Sequence, residues 1–362
     1  MLVIDFSCGI RLSTAAAFSA AINTAVRNGV LIKGGNYIEA MSKADTLILD
    51  KTGTLTEGRP EVKSIIKAKD YIDEKEILTL AAAAEEVSKH PMAVAILNKA
   101  RALALEIPKH RDTRNYISRG IETIVDEDVI RVGSKNFMIE NKVDVSIMEE
   151  KLEKTFITGQ NIIYVSKNEE FLGSIIIEDK MRENMKKSLN NLRYQGINEM
   201  ILLTGDTKEQ AEIVATKMGV DSFEADLLPE DKAKAVLKLQ SKGSGVIMIG
   251  DGVNDAPALS YADVGISLGK GTTDVAMETS DITVQLDNPM VIPEITVMSK
   301  KTMNIIGENF GIVLSINSLG LILGAAGVLP VFWGGAVLHN SSTIFVVANS
   351  LRLFFYNFER SI

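Results

Sequence analysis

Four short segments of the chain carry side chains suited to phosphoryl transfer. Asp50-Lys51-Thr52-Gly53-Thr54-Leu55-Thr56 follows a β-rich run, and Thr204-Gly205-Asp206 and Gly250-Asp251-Gly252-Val253-Asn254-Asp255 follow two more. Lys232 stands near the start of a helical stretch. A carboxylate nucleophile, a hydroxyl and a lysine to hold phosphate oxygens, and further carboxylates for Mg²⁺ are what transfer through an aspartyl phosphate requires. Singly each is weak, because Gly-Asp-Gly after a strand is often a turn and a lone lysine is usually a solvated charge. The order and completeness of the set give it meaning. A Walker-type loop is absent: Gly269-Lys270-Gly271-Thr272 lacks the upstream glycine and has Gly after its Lys, so it reads as a loop.

These residues need a scaffold that brings strand ends together. Residues 43–299 alternate short apolar runs (46–49, 173–177, 200–203, 246–249 and 264–267) with amphipathic stretches such as 208–218, closed by Gly219, and 231–240. That alternation predicts a Rossmann-like, doubly wound parallel sheet, with ligands at the carboxyl ends of its strands. The distance between residues 50 and 204 far exceeds a crossover connection, so an α+β domain is expected as an insertion. The expected division is a sheet domain of residues 30–56 and 167–299, interrupted by an insert at 57–166.

The apolar residues are concentrated. The chain has 362 residues, 46% of them hydrophobic, and a formal charge of −8; its mean hydropathy is +0.12 and its isoelectric point about 5.2. This excludes a disulfide-stapled miniprotein and argues against nucleic acid as a partner. Cys8, the one cysteine, cannot form an internal disulfide. Residues 309–351 contain no Asp, Glu, Lys or Arg, long enough for two membrane spans, expected at 304–328 and 331–355 about a break at Gly327 and Pro330. Lys300 and Lys301 before this stretch and Arg352 and Arg360 after it predict both ends in the cytoplasm and the Pro330 turn outside. Residues 1–29 form a third expected span, with Asp5 and Arg11 its only charges before Arg27. An ionisable group inside a membrane is costly, which singles out Asp5, Cys8 and Arg11. A buried helical hairpin in a soluble core is the alternative.

In this order the motifs resemble the haloacid-dehalogenase superfamily and, within it, the heavy-metal-transporting P-type ATPases, whose phosphorylation sequence residues 50–56 match at every position. The resemblance implies that ATP phosphorylates Asp50 within the Lys51-Thr52-Gly53 motif. It implies further that Asp50, Asp251 and the Thr52 carbonyl bind Mg²⁺. Thr204, in its Thr204-Gly205-Asp206 motif, and Lys232 would hold the phosphoryl group, and Asn254 and Asp255 would support the site. Phosphatases of the superfamily usually have a second Asp where this chain has Thr52, so the aspartyl phosphate should persist. Persistence is what a pump needs while it changes conformation.

Within the insert, Glu85-Glu86-Val87-Ser88-Lys89-His90-Pro91 resembles the family's Ser-Glu-His-Pro element, with Lys89 in place of Glu. That implies ATP binding by Glu85 and His90. The family's Gly-x-Gly corresponds to Ser118-Arg119-Gly120, and Gly133 is a further candidate. Cys8-Gly9-Ile10-Arg11 resembles the family's metal-binding helix, with Ser7 where Pro is usual. Cys8 and His339, with Asp5, are the implied ligands of a transported divalent cation such as Zn²⁺, Mn²⁺, Fe²⁺ or Co²⁺. Asn309, Ser315, Asn317 and Ser318 are expected to serve mainly in helix packing.

The family's earlier helices and its Thr-Gly-Glu actuator loop do not occur in this sequence. The expectation is therefore the catalytic and C-terminal portion of a pump in a bacterial plasma membrane. Its catalytic domains would be cytoplasmic and its transmembrane helices in contact with lipid and with a chain that supplies the missing parts. Two other readings stay open: a membrane-tethered phosphatase, and a non-catalytic subunit of a split pump.

Overall fold

The computed structural model describes residues 6–116, 119–148, 161–251, 255–269, 274–328, 330 and 337–358. The chain forms two compact units: 1–55, 182–206 and 214–362 in one, and 56–181 with 207–213 in the other.

The first unit is built on a seven-stranded sheet in the order β1-β13-β12-β11-β2-β9-β10. Its strands are β1 (Val30–Ile32), β2 (Thr46–Asp50), β9 (Glu199–Leu203), β10 (Ser222–Glu224), β11 (Val246–Gly250), β12 (Val264–Leu268) and β13 (Ile282–Val284). All pairings are parallel except β1 with β13. Every residue of β2, β11 and β12 is buried, which explains why these strands read as unbroken apolar runs: helices cover both faces of a parallel sheet. Register then positions the chemistry. Asp50 pairs with Leu203, and Leu49 with Ile249, so the carboxyl ends of β2, β9 and β11 deliver Asp50, Thr204 and Asp251 to one edge.

The second unit holds a six-stranded, wholly antiparallel sheet, ordered β3-β8-β7-β6-β5-β4. Its strands are β3 (Thr56–Lys67), β4 (His110–Tyr116), β5 (Gly120–Val125), β6 (Asp128–Gly133), β7 (Asn161–Lys167) and β8 (Glu170–Met181). The helices Glu74–Glu85 and Pro91–Ala102 close its core, in which Ile77, Leu78, Ile96, Ile130 and Val132 are buried. Residues 173–177, expected in the parallel sheet, instead lie in β8. There they pair antiparallel with β3 and, through a tight turn after Lys167, with β7. A buried apolar run looks alike in either kind of sheet, so sequence could not assign it.

Among the described residues one helix, Val291–Ala325, is long and apolar enough to cross a membrane. The other two expected spans correspond to helices at Phe6–Arg27 and Leu338–Ser350, which pack against it and against each other. The first is rich in Ala, Ser and Thr rather than Leu and Ile, and the second has 13 described residues, so neither carries the full signature of a span. Asn309 Nδ2 donates to Ser350 Oγ at 2.9 Å, Ser350 Oγ donates to the Ser13 carbonyl at 3.0 Å, and Asn349 Nδ2 donates to Asn309 Oδ1 at 2.9 Å. These contacts tie the three helices together.

Candidate active site

Asp50 ends β2 and is 5% exposed. Lys232, in the helix Pro229–Gln240, donates from Nζ to Asp50 Oδ1 at 2.6 Å and to Asp255 Oδ1 at 2.7 Å. Pro229 opens that helix with no amide hydrogen to satisfy, which seats Lys232 in its first turn facing the strand end. Two carboxylates thus share one ammonium in a buried place, leaving an excess of negative charge. Burial, then the charge of Asp255, pushes the Asp50 carboxyl up to about 7 against the pull of Lys232. Asp255 is raised as well, chiefly by burial, with Lys232 opposing. Burial alone would lower the Lys232 ammonium, but the two carboxylates outweigh it and hold it raised.

Around this centre the neighbouring loops interlock. Thr204 Oγ1 donates to Asp206 Oδ2 at 2.9 Å and accepts from the Asp206 amide at 3.1 Å, while Lys51 forms an ion pair with the same carboxylate. Thr52 is extended (φ −74°, ψ 128°) and Gly53 takes φ +72°, so the chain reverses immediately after the nucleophile candidate. A Cβ on Gly53 would stand 2.9 Å from Asp251 Cβ; only glycine allows both that φ and that approach.

In the second unit, Glu85 ends its helix 8% exposed, with burial raising its pKa against a hydrogen bond from Ser88. His90 is the N-cap of Pro91–Ala102, its Nδ1 accepting from the Met92 amide at 3.3 Å. Gly120 and Gly133 face each other directly in the β5–β6 ladder, and a Cβ on either would meet backbone within 2.6 Å. Close approach of two strands thus accounts for both glycines. Asp5 and Asn254 lie outside the described residues, as do the side chains of Cys8 and His339. Asn317 is 2% exposed, and neither of its amide atoms has a hydrogen-bond partner among the described residues.

Sequence reasoning missed Arg182. It is 7% exposed and donates to the carbonyls of Gly53 (2.8 Å), Thr54 (3.0 Å) and Leu268 (3.3 Å). No local signal marks it, because it follows Asp179-Lys180-Met181 in what reads as a polar loop.

A parallel sheet with a buried aspartate at the end of one strand, held by a lysine from a following helix, places the chain in a class of α/β hydrolases. The chain belongs to the haloacid dehalogenase-like hydrolases, whose family model matches residues 44–263. It is 37% identical over 362 residues to a manganese-exporting P-type ATPase of Mycobacterium tuberculosis, covering 99% of this chain and 50% of that protein. It is also 37% identical over 356 residues to a copper-exporting P-type ATPase of Staphylococcus aureus, covering 98% of this chain and 43% of that one. The crystal structure of a zinc-transporting PIB-type ATPase in an E2.Pi state superposes with a TM-score of 0.87 at 33% identity, covering 96% of this chain and 56% of the other. The chain therefore spans about half the length of the curated relatives it matches.

Proposed function

We propose that this chain is the catalytic and C-terminal portion of an ATP-driven transition-metal pump, and that it works through phosphorylation of Asp50. The observation that carries this reading is the buried Asp50–Lys232–Asp255 cluster at the carboxyl end of β2. ATP, bound through Glu85 and His90, donates its γ-phosphoryl group. An Asp50 carboxylate oxygen forms the new P–O bond, the bond to the β–γ bridging oxygen breaks, and ADP leaves with that electron pair. In this reading Lys232 offsets the negative charge that gathers on the phosphoryl oxygens, and the Thr204 hydroxyl turns from Asp206 to hold one of them. No carboxylate base occupies the position of Thr52, so the acyl phosphate is slow to hydrolyse.

Asp50, Asp251 and the Thr52 carbonyl are the residues that would hold Mg²⁺. Among the described residues no three His, Cys, Asp or Glu side chains are grouped so as to bind a metal ion by themselves. Mg²⁺ fits nonetheless, because it commonly takes one or two carboxylates and completes its shell with water and phosphate. Burial, then the charge of Asp255, raises Asp50, and the penalty on its ionised form is what such a cation relieves. When bound, it supplies positive charge to the phosphate oxygens.

The cargo is a transition-metal cation, with Cys8, His339 and Asp5 as candidate ligands; manganese, zinc and copper are the cargoes named for the relatives. The helices Phe6–Arg27, Val291–Ala325 and Leu338–Ser350 are read as membrane spans with both ends cytoplasmic.

Acid-stable incorporation of label from γ-labelled ATP, with Asp50→Asn as the control and a panel of metals, tests this reading. Label that appears in the native chain and vanishes in the variant is the expected result. Label that survives in Asp50→Asn would overturn the assignment, and brisk hydrolysis of small phosphoesters would point to a tethered phosphatase instead.

A further inference from the structure

We propose that Arg182 is a positioning residue for phosphoryl transfer: it fixes the turn after Asp50 and ties that turn to the segment leading into the helix Val291–Ala325. The inference rests on Asp50 being the phosphorylated residue. Arg182 grips three consecutive carbonyls. Its backbone amide donates to Leu55 at 2.9 Å, its Nε to Thr54 at 3.0 Å and its Nη2 to Gly53 at 2.8 Å. Those three peptides follow directly on Thr52, so their orientation sets where the Thr52 carbonyl and the Asp50 carboxylate are presented.

The remaining donors reach two other segments. Nη2 also donates to the Leu268 carbonyl at 3.3 Å, and Nη1 donates to Asp287 Oδ1 at 3.1 Å. Gly269 leaves the space for the guanidinium, since a Cβ there would lie 2.8 Å from Nη2. Asp287 opens the approach to the long helix: Asn288 Oδ1 accepts from the Met290 amide at 3.1 Å, and Ser188 Oγ donates to the Pro289 carbonyl at 2.8 Å. One planar fork therefore spans the turn beside Asp50, the end of β12 and the lead-in to the long helix.

The chemistry requires arginine. A buried cation costs free energy unless its donors are satisfied, and here most of its partners are neutral carbonyls rather than carboxylates. A lysine has one nitrogen and could not reach carbonyls on separate segments at once. Such a residue makes no contact with the reacting oxygens as placed. Its loss should slow the chemical step without weakening nucleotide binding, because Glu85 and His90 belong to the other unit.

The test uses the full chain with Arg182→Lys, which keeps the charge and loses the fork. The initial rate of acid-stable labelling at saturating ATP is expected to fall tenfold or more, with the ATP concentration for half-maximal rate unchanged within twofold. A rate within twofold of native, or a loss due wholly to weaker ATP binding, overturns the proposal. Hydrogen exchange supplies a readout that needs no turnover. Amides of residues 51–55 should exchange at least fivefold faster in Arg182→Lys, while those of β11 should not change; unchanged exchange at 51–55 overturns the proposal. A native chain that takes no label sinks the reading of Asp50, while exchange still decides whether Arg182 holds the turn. If Arg182→Lys does not fold, Asp287→Asn on the half-exposed arm carries the test, with at least a threefold loss of labelling rate and faster exchange at 51–55 expected and no change in either overturning the proposal.

Discussion

At the scale of the residue, the main feature is the charge imbalance around Lys232. One ammonium serves Asp50 and Asp255 at 2.6 and 2.7 Å, and burial, then the charge of Asp255, raises the Asp50 carboxyl from its ordinary 3.8 to about 7. A carboxyl held higher in the folded state than in the unfolded one costs stability once the unfolded chain ionises and the folded one resists. The cost therefore begins near pH 4, grows as pH rises and is complete above about 7. Asp50→Asn removes the charge and keeps an oxygen to accept from Lys232, which retains Asp255 as its counter-charge. In Mg²⁺-free buffer at pH 8 the variant should be more stable than native by on the order of a few kcal/mol. The gap should close as pH falls toward 4. Thermal melting of both proteins across that range is the measurement, and equal stability at pH 8, or a gap that widens on acidification, sinks this account. The same imbalance would make the site receptive to Mg²⁺, so a residue that the proposed reaction needs is one that folding alone would not choose.

At the scale of the element, the helix Pro91–Ala102 shows how one side chain can serve two ends. His90 caps it through Nδ1, which fixes the ring and leaves the other nitrogen and the exposed ring face for a base. His90→Asn separates the roles, because Asn is a strong N-cap and lacks the ring. The melting temperature is expected to hold, and ATP affinity, read by calorimetry, to drop about tenfold, the scale of a lost base-stacking contact. Unchanged affinity removes His90 from the nucleotide site. Much at this scale was legible in sequence. The strands carrying Asp50, Thr204 and Asp251 are unbroken apolar runs ending in polar loops, and Lys208–Met218 stops where Gly219 takes φ +75°. What escaped was long-range. Residues 170–181 join the antiparallel sheet because of partners more than 100 positions away in β3, and Arg182 acts through carbonyls at 53, 54 and 268. Periodicity reports which face of an element is buried, not what it is buried against.

At the scale of the whole molecule, the proposed membrane reading rests on one helix too long for a bilayer and on what its surface exposes. Val291–Ala325 has 35 residues, about 50 Å at the helical rise, against a hydrocarbon core of about 30 Å. Its first turns, with Val291, Ile292, Ile295 and Met298 buried, pack within the protein, so the membrane part is its later two-thirds. There Phe310, Leu314, Leu319 and Ile322 are exposed, as are Ile344 and Phe345 on the helix Leu338–Ser350. A patch of this kind suits lipid or further helices better than water. The charged rim lies at one end only: Glu308 pairs with Arg352 at 3.1 Å, and Lys301 stands 5.0 Å over the Tyr356 ring. The hairpin should thus enter and leave on the cytoplasmic side, with Pro330 across the membrane. In a Cys8→Ser background a membrane-impermeant maleimide applied to intact cells should label Pro330→Cys. It should leave Tyr194→Cys untouched, although Tyr194 is 91% exposed in the first unit, until the cells are broken. Labelling of Tyr194→Cys in intact cells, or of Pro330→Cys only after lysis, would reverse the orientation or remove the span, and the proposed route from Asp50 to a membrane metal site would fail with it.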